Sequence, residues 1–438
     1  MYIKKGIGTF IFPAALMSLA WFLYSFIPIF VLYDVPINPI PILYINVCVS
    51  AFSLSALPFK WRYAYKANSL NKLSVSKIFD SKFIRILFYI SSFAAILFST
   101  YSILSNDFGL QAMIFNFMET SGKYAAMRGH GDLNYNIWGI LSIFFTYLTP
   151  TLGGLVFRPH IKSTHKALHY LISFFPSIYY MLTQSQKLVL FFSIGFFGAS
   201  ILLKKIYANE FKLFSLHSSI KILKILLITL PLILISFSTR QGFSNGLSTQ
   251  EVMIGTFFSL KSYVLAQIYA FSDFFSSILG ITSKNVYIND FGTYGYYTFK
   301  SIFDFFGGNK YFPPGTFFDG YYYKNEMATN IYTIFRGLIN DFGIIGTIFF
   351  MYLSGLIVHA VFYHLLTTKK SWIACGNFII IIVYIQGTVL FSIFTSRYMY
   401  LLLLAFVFIF WINDKSKRIK QLILLKNGNI FKFSTYLY

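Results

Sequence analysis

The sequence predicts an all-α polytopic integral membrane protein of about 10 (10–12) transmembrane helices with one large external loop. Three observations carry that prediction. Of the 438 residues, 56% are hydrophobic and only 11% are charged, where a soluble domain carries about 25% charged residues. Mean hydropathy is +0.64, and several apolar runs exceed the roughly 18 residues that a membrane helix needs. The basic residues are also distributed very unevenly along the chain. A single soluble globular domain and a disordered chain are both excluded. Cys48 and Cys375 each lie inside an apolar run, so neither a disulfide scaffold nor a zinc-finger spacing is present.

The first apolar run follows Lys4 and Lys5 and ends near Pro28. It is too long for a signal peptide and no small-x-small cleavage site closes it, so it reads as the first membrane helix. Further spans are expected at about 40–58, 86–105, 134–157, 168–185, 187–203, 222–238, 342–366, 371–394 and 398–412, set by the roughly 20-residue requirement. With both termini cytoplasmic, the cytoplasmic segments hold 25 of the 36 Lys and Arg and only three acids, Asp80, Glu210 and Asp414. The net charge of +22 is then a topology signal, because short cytoplasmic loops carry the Lys/Arg excess. Contact with anionic membrane lipids is its secondary effect, and no nucleic acid is expected as a partner.

The whole chain, 1–438, reads as one transmembrane domain with two external segments. The first loop spans 106–133. The second spans 239–340, is less apolar than the rest, and at roughly 100 residues is too long to lack structure of its own. Within it, 254–280 is apolar but interrupted by Lys261 and Asp273. Ser259, Ser262, Asp273 and Ser276 fall on one helical face, which fits a helix lying in the interface better than a re-entrant hairpin.

Nucleotide-phosphate loops, dinucleotide fingerprints, HExxH and Asp-x-Asp pairs are all missing, so no cofactor and no metal are indicated. Ionisable residues deep in the spans are sparse; His359 and His364 read as interfacial or bundle-packing residues. Polar residues gather instead on the outer side. The strongest pattern is NIYTIFRGLINDFGIIG, Asn330 to Gly346, leading straight into a membrane helix. Asp341 suits the N-terminus of that helix, where a negative charge is favoured; Arg336 suits snorkelling to the headgroups; Gly343 and Gly346 suit close helix packing. A second pattern, GTYGYYTF from Gly292 to Phe299, runs on through aromatic and glycine-rich chain to Tyr323. Such aromatics serve an interfacial belt or a sugar-binding cleft. Arg240 and Arg397 each stand where a span meets the outer face, Lys187 occupies a comparable short turn, and Arg128 lies in the first outer loop. Each could snorkel separately, or they could converge if the bundle closes around them.

On four of these features the chain resembles the Wzy-type O-antigen polymerases, the oligosaccharide repeat-unit polymerases of bacterial surface polysaccharide synthesis. They are the Arg240 exit from a span, Gly295-x-Tyr297-Thr298-Phe299, the run from Asn330-x-Tyr332-Thr333 to Asp341-Phe342-Gly343, and the large outer loop that links them. The resemblance implies a GT-C-like membrane architecture in the bacterial cytoplasmic (inner) membrane. It implies a metal-independent glycosyltransferase acting on undecaprenyl-diphosphate-linked oligosaccharide, with a chain-length regulator as a possible partner. O-antigen ligases share the architecture but usually carry His-Asn where this chain has Thr329-Asn330.

In such a reaction an acceptor hydroxyl attacks an anomeric carbon and lipid diphosphate leaves. Arg240 and Arg397 are the expected clamp for the diphosphate, because fixed guanidinium groups stabilise charge developing on phosphate oxygens. Asp341 is the expected general base, with Asp132 and Asp319 behind it. Arg336, Arg128, Lys187, Asn330, Tyr332 and Tyr297 are the expected substrate-binding residues. The rival readings are a lipid-linked oligosaccharide flippase or other transporter, a ligase, and a non-catalytic partner of a synthase complex.

Overall fold

The computed structural model describes residues 11–70, 79, 81–106, 108–109, 111, 115–130, 136–158, 163–211, 231, 234–238, 248–281, 285–288, 292–306, 316–324, 327–368, 372–387 and 401–413. In chain order the elements are α1 (Pro13–Val31), α2 (Pro39–Leu54), α3 (Trp61–Leu70), α4 (Lys82–Leu104), α5 (Phe117–His130), α6 (Ile137–Val156), α7 (Ser163–Gln184), α8 (Lys187–Tyr207), α9 (Thr249–Val264), α10 (Ala266–Ile278), α11 (Lys300–Phe305), β1 (Thr316–Tyr323), β2 (Met327–Ile331), α12 (Ile334–Thr368), α13 (Trp372–Gly387) and α14 (Leu401–Asn413). The chain is overwhelmingly helical, as expected.

Among the described residues five helices, α1, α4, α6, α8 and α12, are long and apolar enough to cross a membrane, and the bent pair α9–α10 makes up to six. That is fewer than the ten spans expected. Helices α2 and α14 and the apolar part of α13 are shorter, at 10–17 residues, and most of the expected span 222–238 lies outside the described residues.

The helix starts follow local chemistry. Asn38 caps α2 by accepting from Ile40 N, Ser81 caps α4 through Ile84 N, and Asn136 caps α6 through Gly139 N; each satisfies a donor that a helix start leaves orphaned. Proline at the first turn of α1 and α2 costs no hydrogen bond. Ser248 and Glu251 form a reciprocal capping box at the start of α9.

One half of the bundle is built on α6, 72% of whose apolar stretch is buried inside the protein. It lies between α4, α7 and α8. A Cβ on Gly153 would strike Ser173 and Phe88, and one on Gly154 would strike Phe197 and Ser200, so these two glycines set how closely α7 and α8 approach. Polar side chains add glue: Thr149 Oγ1 donates to Ser91 Oγ at 3.1 Å, and Thr100 and Tyr179 share a 2.9 Å hydrogen bond. The other half centres on α12, which packs on α2, α3 and α13. His359 of α12 is fully buried, 3.0 Å from Ser55 Oγ and ringed by Phe12, Phe52, Phe59 and Trp61. That is the bundle-packing role expected for it, while His364 is exposed.

The described part of the stretch expected to be external departs from a purely helical expectation in three ways. First, α9 and α10 form no single helix; they meet at a 56° bend. Helix α10 is buried from Ala266 to Ser276 except at Asp273. Its Ser272 and Ser276 bind Asn38 between α1 and α2, and Tyr269 donates to the carbonyls of Pro28 and Leu32 that end α1. Second, β1 and β2 pair as an antiparallel hairpin whose register slips between Thr316 and Tyr321. Third, α12 starts at Ile334, before the membrane span, and breaks at Gly343 with φ 71° and ψ 179°.

Candidate functional site

The break in α12 organises the site. Its first part carries Arg336, Gly337, Asn340 and Asp341, and the part beyond Gly343 is the long apolar stretch of the candidate membrane span. Gly343 and Gly346 do not bring helices together. A Cβ on Gly343 would meet nothing within 4 Å, and one on Gly346 would meet only Phe342 of its own helix. What Gly343 supplies is a backbone conformation open essentially to glycine alone.

Asp341 therefore caps no helix N-terminus; it ends the first part of α12 and anchors the GTYGYYTF segment. Gly292, Tyr294 and Gly295 all adopt positive φ, which folds the chain back so that two amides and two hydroxyls face one carboxylate. Oδ1 accepts from Thr293 Oγ1 at 2.6 Å and Tyr297 N at 3.0 Å. Oδ2 accepts from Thr298 N at 2.7 Å and Thr298 Oγ1 at 2.6 Å. A carboxylate has about four lone-pair positions, and here all are filled. Asn340 O adds two more ties, accepting from Gly292 N and Thr293 N. Gly337 makes room, since a Cβ there would press on Tyr297 Cβ at 3.3 Å.

Arg336 lies one turn earlier and does not snorkel. It is 1% exposed. Its guanidinium is sandwiched among rings: Phe317 at 4.0 Å, Tyr332 at 4.1 Å, Phe274 at 4.4 Å and Tyr287 at 5.5 Å from their centroids. Flat stacking on aromatic faces suits arginine and keeps its edge free for oxygen. Nη2 meets Asp319 Oδ2 of β1 at 2.6 Å, and Ile288 N donates to the same oxygen at 2.7 Å. Yet Nε and Nη1 of Arg336, Oδ1 of Asp319, Thr333 Oγ1 and both amide atoms of Asn340 are buried without a hydrogen-bond partner among the described residues. Thr333, Arg336 and Asn340 share one helical face by their spacing. Burial pushes the phenols of Tyr287 and Tyr332 well above their ordinary range, partly offset in Tyr332 by the adjacent Arg336, so both stay protonated as donors. Asp273, expected only on the polar face of an interfacial helix, accepts from Tyr287 OH at 2.7 Å and Asn285 Nδ2 at 2.9 Å and so braces one wall of the cage.

The structure thus gathers Tyr297, Tyr332, Arg336 and Asp341, with Asp319 of the hairpin, into one buried cluster. Tyr297 stacks on Phe317 at 5.4 Å and Phe317 meets Tyr332 edge-on at 5.3 Å, so the two motifs are bridged by the Phe317 ring of β1 as well as joined directly at Asp341. Asn330 is exposed on β2. Lys187 stands elsewhere, with Nζ 4.1 Å from the Phe237 ring and 5.9 Å from that of Tyr263. Arg128 lies in α5, and its side chain falls outside the described residues, as do Arg240, Arg397 and Asp132 entirely. Phe274, Tyr287 and Ile288 were missed by sequence reasoning, for no motif links them to Arg336. The spacing of Thr333, Arg336 and Asn340 was a usable signal, since three polar residues on one face before a membrane helix need partners. Among the described residues no three His, Cys, Asp or Glu side chains gather as they would around a metal ion. Compared with models of known families, with curated proteins and with solved structures, the chain matches none of them.

Proposed function

We propose that the chain polymerises undecaprenyl-diphosphate-linked oligosaccharide repeat units at the outer face of the bacterial cytoplasmic membrane, with lipid diphosphate as leaving group. The observation that carries this reading is the buried Arg336 cluster at the head of a membrane helix. A guanidinium with two nitrogens unpaired among the described residues stands among aromatic rings at the point where the outer segment enters the span. Cation and rings together suit a substrate that joins phosphate to sugar. Bond energy comes from the diphosphate: the acceptor hydroxyl oxygen bonds to the anomeric carbon, and the diphosphate departs with the old bond's electron pair. Charge grows on the departing oxygen, and fixed guanidinium groups favour that state over the ground state.

In this reading Arg240 and Arg397 clamp the diphosphate. Lys187 is close in the fold to the chain that leads to Arg240, with its ammonium over Phe237, three residues earlier. Asn330, Tyr297 and Tyr332 contact sugar, Arg128 and Lys187 draw in anionic substrate, and a chain-length regulator is a partner. Both termini lie in the cytoplasm. The test is deletion of the gene, after which surface glycan should shrink to a single capped repeat unit. Accumulation of the unit on the inner leaflet instead would identify a flippase. A membrane-impermeant thiol reagent should label cysteine placed at Asn309 or Asn325 in intact spheroplasts, and not at Ser416. The reverse pattern would put the cluster on the wrong side of the membrane.

A further inference from the structure

Two carboxylates stand beside this cluster in opposite states. Asp341 has every lone pair engaged by Thr293, Tyr297 and Thr298, so it has no free position for a substrate proton. Asp319 has one oxygen held by Arg336 and Ile288 and the other without a partner among the described residues. Within the polymerase reading, we propose that Asp319 is the proton acceptor for the attacking hydroxyl, and that it is released for this role when the donor's diphosphate takes its place on Arg336.

The geometry gives each step a cause. The Arg336–Asp319 bond uses a single oxygen and a single nitrogen, whereas a guanidinium offers five donors and grips phosphate oxygens in pairs. A buried ion pair left half satisfied is costly, so an incoming diphosphate gains contacts on Nε and Nη1 that Asp319 does not make. The rings of Phe317, Tyr332 and Phe274 hold the guanidinium from its flanks, so arginine stays in place and the carboxylate is the partner that moves. Asp319 lies where the pairing of β1 with β2 slips, between Thr316 and Tyr321, so no regular ladder register fixes its place on the strand. Once released, its carboxylate takes the hydroxyl proton as the hydroxyl oxygen bonds to the anomeric carbon. The bond from that carbon to the diphosphate breaks, and lipid diphosphate leaves carrying the electron pair. Proton transfer is thereby withheld until a donor is bound. General-base catalysis of this kind contributes about 10²–10⁴-fold.

The experiment has three arms. In cells lacking the chromosomal gene, Asp319→Asn at wild-type membrane abundance should cut polymer at least about a hundredfold. Asn keeps an oxygen for Ile288 N and Arg336, so retention of polymer would overturn the proposal. The neutral pair Asp319→Asn with Arg336→Gln separates catalysis from packing, because buried ion pairs are often replaceable without loss of fold; polymer from the pair would also overturn it. The third arm uses the wild-type full chain in detergent with inorganic pyrophosphate as probe. Pyrophosphate should raise carbodiimide modification of Asp319, read by mass spectrometry, severalfold, and unchanged or lowered modification would refute the exchange on Arg336. Failure of the polymerase reading itself shows differently, as a gene deletion that leaves glycan length unaltered.

Discussion

Replacing Gly343 by alanine isolates the contribution of the break in α12. An added Cβ would meet nothing within 4 Å, so no steric clash contributes. The cost arises only from φ 71° and ψ 179°, a conformation that an L-residue adopts at about 1–3 kcal/mol. That corresponds to a shift of roughly 5- to 160-fold from the broken helix towards a straight one. A straight helix would redirect the segment from Ile334 to Phe342 and carry Asp341 away from Thr293, Tyr297 and Thr298. The helix on the membrane side already has a local device at the break, since Thr347 Oγ1 donates to Gly343 O at 2.8 Å. The assay is thermal aggregation of detergent-solubilised protein, together with amide exchange over 292–300. Gly198→Ala in α8 is the control: its Cβ also meets nothing within 4 Å, and its φ is ordinary, so it should be neutral or stabilising by about 0.5–1 kcal/mol. If Gly343→Ala matched Gly198→Ala in stability and left exchange over 292–300 unchanged, the account of the break would be wrong.

Three further outcomes follow from particular contacts. Asp341→Asn keeps one acceptor oxygen and turns an amide NH₂ towards two donors, which should cost about 2–3 kcal/mol; hydrogen exchange at Tyr297 and Thr298 should quicken while the membrane helices stay protected. Asn38→Ala removes the cap of α2 and the tie to Ser276 of α10, worth about 1–2 kcal/mol, and should make the bend between α9 and α10 the first site of proteolysis on heating. Arg240→Lys and Arg397→Lys should shorten the polymer nearly as severely as the alanine variants if the paired grip on phosphate matters, by about a hundredfold in rate each. Normal polymer from both lysine variants would reduce these arginines to snorkelling residues.

The legible part of the fold was whatever depends on composition within one helix. Long apolar runs gave α1, α4, α6 and α8 within a few residues, and the membrane half of α12 as well. Also legible were two short motifs, which meet at Asp341. Their contact was not, because four donors from 293–298 reach a carboxylate more than forty residues later in the chain. The start of α12 at Ile334 was hidden by Gly343, whose glycine reads equally well as a packing residue or a break. The hairpin was hidden for a related reason: β1 is aromatic on both faces, so its alternation is invisible until the cage around Arg336 gives one face a purpose. The partnership of Arg336 with Asp319 joins residues 17 apart across the hairpin, a distance no helical or strand periodicity encodes.

Helix α6 has the lowest hydropathy of the five long apolar helices, at 1.5, and is also the most enclosed. Its Ser142, Thr146, Thr149 and Thr151 are all buried in protein. Of the neighbours that enclose it, α4 is synthesised before α6, whereas α7 and α8 follow. While the ribosome is still making α7 and α8, the Gly153-Gly154 face that will receive Ser173, Phe197 and Ser200 has lipid for company, and the Gly153 carbonyl lacks the His169 ring nitrogen that meets it at 2.9 Å in the folded bundle. The order of synthesis therefore leaves α6 least secure just after it emerges. Shortening the chain before α8 should release α6 to membrane proteases, although nothing in α6 itself has changed.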